Sequence, residues 1–177
     1  IRARLVGSEM CIRDSSYYDP PNMTYPFGSY ICVMEINVDT GTTEIRQFYA
    51  LDDCGTRINP MVIEGQVHGG LTEALAIAMG QEIAYDEQGN VTTGTLMDFF
   101  VPTAVETPNY QTDHTVTPSP HHPIGAKGVG ESPNVGGVPA FSNAVHDAFR
   151  AFGLTQSHMP HDHWRIWKTA NSLGLHD

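Results

Sequence analysis

The chain has 177 residues, 40% apolar and 16% charged, with a formal net charge of −11. That acidity argues against nucleic-acid binding, which needs a basic patch, and no apolar run is long enough to span a bilayer. The length suits one hydrophobic core.

The first fifteen residues stand apart. Leu5-Val-Gly-Ser-Glu-Met-Cys-Ile-Arg-Asp-Ser15 reads as translated sequencing adapter: in one frame ATG TGT ATA AGA GAC AG gives Met-Cys-Ile-Arg-Asp-Ser. We set residues 1–15 aside as non-native, against the alternative of a native N-terminal strand. The remainder, 16–177, carries 6 basic and 18 acidic side chains, a net charge of −12. Its two cysteines, Cys32 and Cys54, have no close spacing, which points to reduced thiols rather than a disulfide framework or a zinc site. On this reading the true N-terminus is missing.

Residues 30–38 alternate and are rich in β-formers, which predicts a strand. Asp39-Thr-Gly41 is a turn, and 43–50 reads as the returning strand. The polar loop Asp52-Asp-Cys-Gly-Thr-Arg-Ile-Asn-Pro60 follows. Its two aspartates are open to cation binding but suit turn capping better. Asn59-Pro60 starts a helix that runs to about Met79. Ile63, Val67, Leu71, Leu75 and Ala78 give it an apolar face. A second face carries Gln66, Gly69, Gly70 and Glu73. Adjacent glycines inside a helix cost about 1 kcal/mol each relative to alanine, so something must compensate. Either a ligand or another backbone approaches closely, with Gln66 supplying both a donor and an acceptor, or the face packs tightly on a strand.

Residues 81–95 predict a short hairpin around Asp86-Glu-Gln-Gly-Asn90, and 95–105 an extended buried segment. Residues 112–117 alternate weakly, as a further strand would. Thr115-Val-Thr-Pro-Ser-Pro-His-His-Pro123 is too rich in proline for a central strand. It leads into Gly125-Ala-Lys-Gly-Val-Gly-Glu-Ser-Pro133. Here three glycines let the backbone approach a bound group, and one carboxylate, Glu131, ends the loop. Ser132 is a good N-cap and Pro133 a good first helical residue, so a helix is expected to begin there. Its N-terminus favours the ionised form of Glu131. The plainer alternative is a capping turn with a solvated glutamate. The loop is not a P-loop, because Glu131 stands where Lys and Ser/Thr would be needed. It is not a dinucleotide fingerprint either, because no buried strand precedes it.

Beyond the loop, Val138, Phe141, Val145, Phe149 and Phe152 recur at helical spacing. A last short helix is expected in the tail after Met159. The histidines at 121, 122, 158, 161 and 163 invite a metal hypothesis, but their spacing fits no zinc template and Pro160 interrupts it. The mixture of elements predicts an α+β fold.

Three segments in order decide between these alternatives by resemblance: Asp52 to Pro60, Glu64-Gly-Gln-Val-His-Gly-Gly70, and Gly125 to Ser132. Together they resemble the C-terminal end of the molybdenum-binding large subunit of the xanthine oxidase family. Leu96-Met-Asp-Phe-Phe-Val-Pro102, the stretch from Thr115 to Pro123, and the tail Met159-Pro-His161 with Trp164-Arg-Ile-Trp-Lys168 are similar to its aerobic carbon monoxide dehydrogenase branch. The likeness runs from about Ser16 to Asp177, roughly the last fifth of such a subunit.

The resemblance implies a fold that is the C-terminal part of a molybdopterin-binding domain. The cofactor would be molybdenum on molybdopterin cytosine dinucleotide. Glu131 would be the catalytic glutamate, a general base in hydroxylating members. Gln66, Gly69, Gly70, Lys127, Gly128, Val129 and Gly130 would contact the cofactor, with no direct metal ligand among them. The implied reaction is oxidation of CO with water to CO2, two electrons leaving. Copper would be held by a cysteine on an upstream loop absent from this sequence. Hydroxylation of aldehydes or aromatic heterocycles, and an inactive fragment with a binding role alone, are the alternatives. The implied partners are an FAD-binding medium subunit and an iron–sulfur small subunit, assembled as a dimer of heterotrimers. The implied location is the cytoplasm, with attachment to the inner face of the membrane as a further option.

Overall fold

The computed structural model describes residue 19 and residues 21–175. The segment 1–15, read above as adapter, lies outside the described residues.

Strand β1 (Phe27–Ile36) pairs antiparallel with β2 (Thr43–Asp53), and β2 pairs parallel with β3 (Tyr110–His114). The three form one sheet in the order β1-β2-β3. The turn expected at 39–41 is present: Gly41 has φ +71°, and its N–H donates to the Asn37 carbonyl at 2.8 Å. Both strands are longer than their alternation predicts, β1 starting at Phe27 and β2 continuing through both aspartates. A parallel partner needs a long crossover. Here it contains helix α1 (Pro60–Met79). Helix α2 (Ser132–Arg150) packs beside α1 and against β1, and α3 (His163–Ser172) closes the chain. The expected α+β fold is what is found.

Local chemistry explains the helix starts. The Asn59 side chain accepts from Val62 N–H, and Pro60 occupies the first helical position, where its missing N–H costs nothing. Asp162 caps α3 in the same way through Arg165 N–H at 2.8 Å. The core lies between the sheet and the two long helices: Phe48, Ala50 and Tyr110 from the strands, Val67, Leu71, Ala74, Leu75 and Ala78 from α1, and Phe141 from α2. A second cluster joins Val145 and Phe149 of α2 to Ile166 and Ala170 of α3. The helices meet at small residues. A Cβ on Gly137 would lie 2.8 Å from that of Ala74, so only glycine allows this approach.

Three expectations are corrected. Residues 95–105 are not a buried extended segment: they form turns and irregular chain, with Leu96 84%, Met97 93% and Val105 90% exposed. Apolar composition was read as burial, yet only Phe99, Phe100 and Pro102 are partly covered, Phe100 by the chain at Gly80. The short hairpin expected around 86–90 is present, with Tyr85 bridged to Val91, Thr92 N–H on the Ala84 carbonyl and the turn closed by Asp86 and Asn90. Ser132 is not the N-cap of α2; Glu131 occupies that position, and the Ser132 hydroxyl is engaged elsewhere. Phe152 lies past the end of α2 and is 56% exposed, so it does not extend the apolar face.

Candidate functional site

The site is assembled where β2 ends. Asp52 and Asp53 are its last two residues and are 4% and 1% exposed. A buried carboxylate needs partners, and Asp53 has several. Its Oδ1 accepts from Gly55 N–H at 2.9 Å, Thr117 N–H at 3.1 Å and the Lys127 ammonium at 3.1 Å, while Oδ2 accepts from the Thr115 hydroxyl at 2.8 Å. Burial alone would push the Asp53 carboxyl up. The hydrogen bonds from Gly55, Thr117 and Thr115 outweigh it and hold the group well below the usual carboxylate range. Turn capping, expected of this pair, is part of what Asp53 does.

Asp52 faces the other way. Its Oδ1 accepts from the Tyr30 hydroxyl and from the Ser132 hydroxyl, the latter at 2.8 Å, and Tyr30 and Ser132 are themselves 3.1 Å apart. Burial and the Asp52 contact push the Tyr30 phenol well above its ordinary value, so it stays a neutral donor. Backbone bonds complete the junction. Gly55 (φ +67°) and Gly125 (φ +72°) meet so closely that a Cβ on Gly55 would fall 2.1 Å from the Gly125 carbonyl oxygen. Lys127 N–H donates to the Cys54 carbonyl at 2.8 Å, and Thr56 N–H to Gly125 at 3.1 Å.

Between these anchors, the glycine loop presents its backbone to the outside. A Cβ on Gly128 would find nothing within 4 Å, and one on Gly130 would meet only Gln66 Oε1, at 3.4 Å. Gln66 and Gly130, 64 positions apart in sequence, are therefore neighbours. Gly69 on α1 also faces open space. Glu131 is exposed; its side chain makes no capping hydrogen bond, and its carbonyl accepts from Val135 N–H at 2.9 Å. Neither the Glu131 carboxylate nor the Gln66 amide is taken up by a partner among the described residues.

The expected site residues thus divide. Gln66, Gly69, Gly128, Gly130 and Glu131 form one open surface. Gly70 is used differently: a Cβ there would lie 3.1 Å from that of Pro133, so this glycine admits the N-terminus of α2. Val129 turns its side chain onto the core. Lys127 spends its ammonium on Asp53 and the face of Phe27, 4.7 Å from the ring centroid, and leaves its backbone to the loop. Tyr30, Asp52 and Ser132 had no part in the sequence reading of the site. Cavities of about 920 Å³, lined by Met79, Phe100 and Trp164 among others, and about 150 Å³, beside Asp52 and Arg57, contain neither Glu131 nor Gln66.

The histidines do not gather. His161 is buried, with its ring nitrogen 2.8 Å from Ser142 Oγ, while His158 and His163 are exposed. Among the described residues no three His, Cys, Asp or Glu side chains are placed to hold a metal ion.

These features describe open backbone beside the Gln66 amide and the Glu131 carboxylate, neither of which is taken up among the described residues. The family model for the molybdopterin cofactor-binding domain matches residues 3–108, and the chain belongs to that family. Among its relatives, the carbon monoxide dehydrogenase large chain of Afipia carboxidovorans is 73% identical over 161 residues, 91% of this chain and 20% of that one. The crystal structure of a Cu,Mo-CO dehydrogenase in its carbon monoxide reduced state superposes with a TM-score of 0.88 at 72% identity, over 92% of this chain and 20% of that one. Quinoline 2-oxidoreductase from Pseudomonas putida 86 superposes with a TM-score of 0.83 at 36% identity, over 88% of this chain and 20% of that one. The chain therefore spans about a fifth of the length of these relatives.

Proposed function

We propose that this chain supplies the glutamate-bearing part of a molybdenum enzyme that oxidises CO with water to CO2, two protons and two electrons. The observation that carries the reading is the Glu131 carboxylate, left free at the edge of an open glycine surface beside Gln66. The residues fit a molybdopterin cofactor. Side-chain-free backbone at Gly69, Gly128 and Gly130 permits close approach, and Gln66 can both donate and accept. When bound, the cofactor supplies two-electron redox chemistry. Glu131 accepts a proton as water is consumed. The loop backbone and Gln66 orient the bound group.

Support for CO as substrate is the 73% identity to a carbon monoxide dehydrogenase large chain. A second reading, hydroxylation of an aromatic heterocycle, is favoured by the 0.83 TM-score to quinoline 2-oxidoreductase. A copper-binding cysteine in the upstream part of the full-length chain separates the two. In the CO reading, the partners are an FAD-binding medium subunit and an iron–sulfur small subunit, in a cytoplasmic dimer of heterotrimers. The 177 residues alone, with only two of the segments that grip the cofactor, bind it weakly and are inactive. The adapter reading of residues 1–15 is also a proposal, because the family match begins at residue 3. The genomic sequence upstream of codon 16 tests it.

Glu131→Gln in the full-length enzyme is the decisive test. It keeps shape and removes charge, so molybdenum content stays near normal while turnover falls by about 100-fold or more, the usual scale for a positioned base. Near-normal turnover would reduce Glu131 to a loop residue.

A further inference from the structure

The loop that carries Glu131 ought to be loose. A Cβ on Gly128 or Gly130 would meet almost nothing, and the Glu131 side chain has no partner among the described residues. Ordering one backbone residue costs about 1–2 kcal/mol, and a carboxylate that does chemistry must be held to within about 0.5 Å. Apart from the Val129 side chain on the core and one long bond from Gly128 N–H to the Thr24 carbonyl at 3.4 Å, the interior of the loop offers little to hold it. The order must come from the ends.

Both ends are gripped by consecutive residues. Lys127, at the start of the loop, is bound to Asp53, and Ser132, directly after Glu131, is bound to Asp52. Successive side chains of a strand point to opposite faces. Neighbouring aspartates can therefore reach the two ends of one loop from two sides. Asp53 takes the side of Lys127 and Phe27, and Asp52 the side of Tyr30 and the first turn of α2. Their backbone is fixed by the ladder to β1, Asp53 opposite Phe27 and Asp52 opposite Gly28.

We propose that Asp52 and Asp53 form a two-point clamp that sets the position of Glu131, with Ser132 and Tyr30 as positioning residues on the Glu131 side. This rests on the reading of Glu131 as the acting carboxylate. The clamp explains why Ser132 is not a helix cap: its hydroxyl is committed to Asp52 instead. It also gives Lys127 a role that needs no contact with a ligand. Tyr30 adds a second donor to the same oxygen, so the Asp52 carboxylate is itself oriented before it receives Ser132.

Ser132→Ala tests it in a full-length, cofactor-loaded large chain bearing this segment. Ser132 makes no capping bond, so its loss leaves the start of α2 intact. Backbone amide exchange over 126–131 should rise about 5-fold or more, with exchange in α1 and the distal turns of α2 unchanged, the pattern of local rather than global opening. Turnover number should fall about 10-fold, the scale of a sub-ångström misplacement, with KM and molybdenum content within about twofold. Ser132→Thr, which restores the hydroxyl, should recover both readouts. Unchanged exchange over 126–131 would overturn the clamp, as would a uniform rise across the helices. A loosened loop with undiminished turnover would overturn its role in placing Glu131. The exchange result stands on its own if Glu131→Gln leaves turnover intact, so failure of the clamp and failure of the glutamate reading are told apart.

Discussion

Two irregular segments of similar length show opposite relations between composition and order. Residues 95–109 hold Leu96, Met97, Phe99, Phe100, Val101 and Val105, yet most of these face outward. Residues 119–132 hold glycines, prolines, a lysine and a glutamate, yet the segment is tied at Ser119, Gly125, Lys127 and Ser132 to the end of β2 or to its own turn. Apolar content does not place a loop; buried polar partners do. A contact in the first segment, such as Phe100 against Gly80, is non-directional. Those in the second fix distances and angles. If that distinction is right, cutting a polar tie should hurt far more than removing an apolar side chain.

The largest effect is expected at Asp53. Asp53→Ala strands the Lys127 ammonium, whose side chain is 8% exposed. Breaking one side of a buried pair costs about 3–5 kcal/mol. Urea unfolding followed by tryptophan fluorescence measures it, and a loss below about 1 kcal/mol would mean the pair is solvated in practice. Acid acts on the same group. Asp53 has a depressed folded-state pKa, so its stabilisation is complete above the unfolded value of about 3.9 and is lost as pH falls below it.

Next comes Gly55→Ala. The new Cβ would lie 2.1 Å from the Gly125 carbonyl, at φ +67°. Strain of this kind costs about 1–3 kcal/mol. Because the clash is with the loop and not with the core, exchange over 119–127 should rise before that of α1.

A smaller, pH-dependent effect belongs to His161. Burial, then the Arg165 charge, lower its pKa, against the opposing pull of Asp162; Ser142 and His146 also face it. The folded state therefore favours the neutral ring. Its contribution is complete above the unfolded value of about 6.5 and declines as pH falls toward the folded one. His161→Gln should flatten the stability profile below about pH 6.5. An unchanged slope would show that the ring is solvated.

The same contrast marks what the sequence could show. Strands β1 and β2 and helix α1 were legible, because alternation and an Asn-Pro start are local signals that burial then reinforces. The glycine loop was legible as an irregular segment leading into a helix, and its reading as part of a molybdenum site rests on resemblance. The clamp was not legible. Asp53 meets Lys127 across 74 positions and Asp52 meets Ser132 across 80, and no local pattern encodes such pairs. Ser132 was misread because Ser-Pro before a helix is a strong capping signal; the nearby carboxylate of Asp52 overrode it. The adjacent acids at the end of an alternating strand were the available clue, since neighbours in a strand must serve different faces.

The smallest effect is expected in the apolar segment. Leu96 and Met97 are 84% and 93% exposed, so replacing both with serine removes little buried surface. Surface changes of this kind stay within about 0.5 kcal/mol. Their consequence should appear in association instead. Leu96, Met97, Val101 and Val105 lie close in sequence and are all exposed, and exposed apolar side chains that gather into a patch form a contact site or an aggregation liability. Light scattering of the 177-residue chain should show aggregation that the double serine variant reduces, with the unfolding midpoint unmoved. A large drop in midpoint would place these side chains in the folded core and erase the contrast with the glycine loop. An equal scattering signal would move the sticky surface elsewhere, to the outer sheet face that exposes Ile31, Val33, Tyr49 and Leu51.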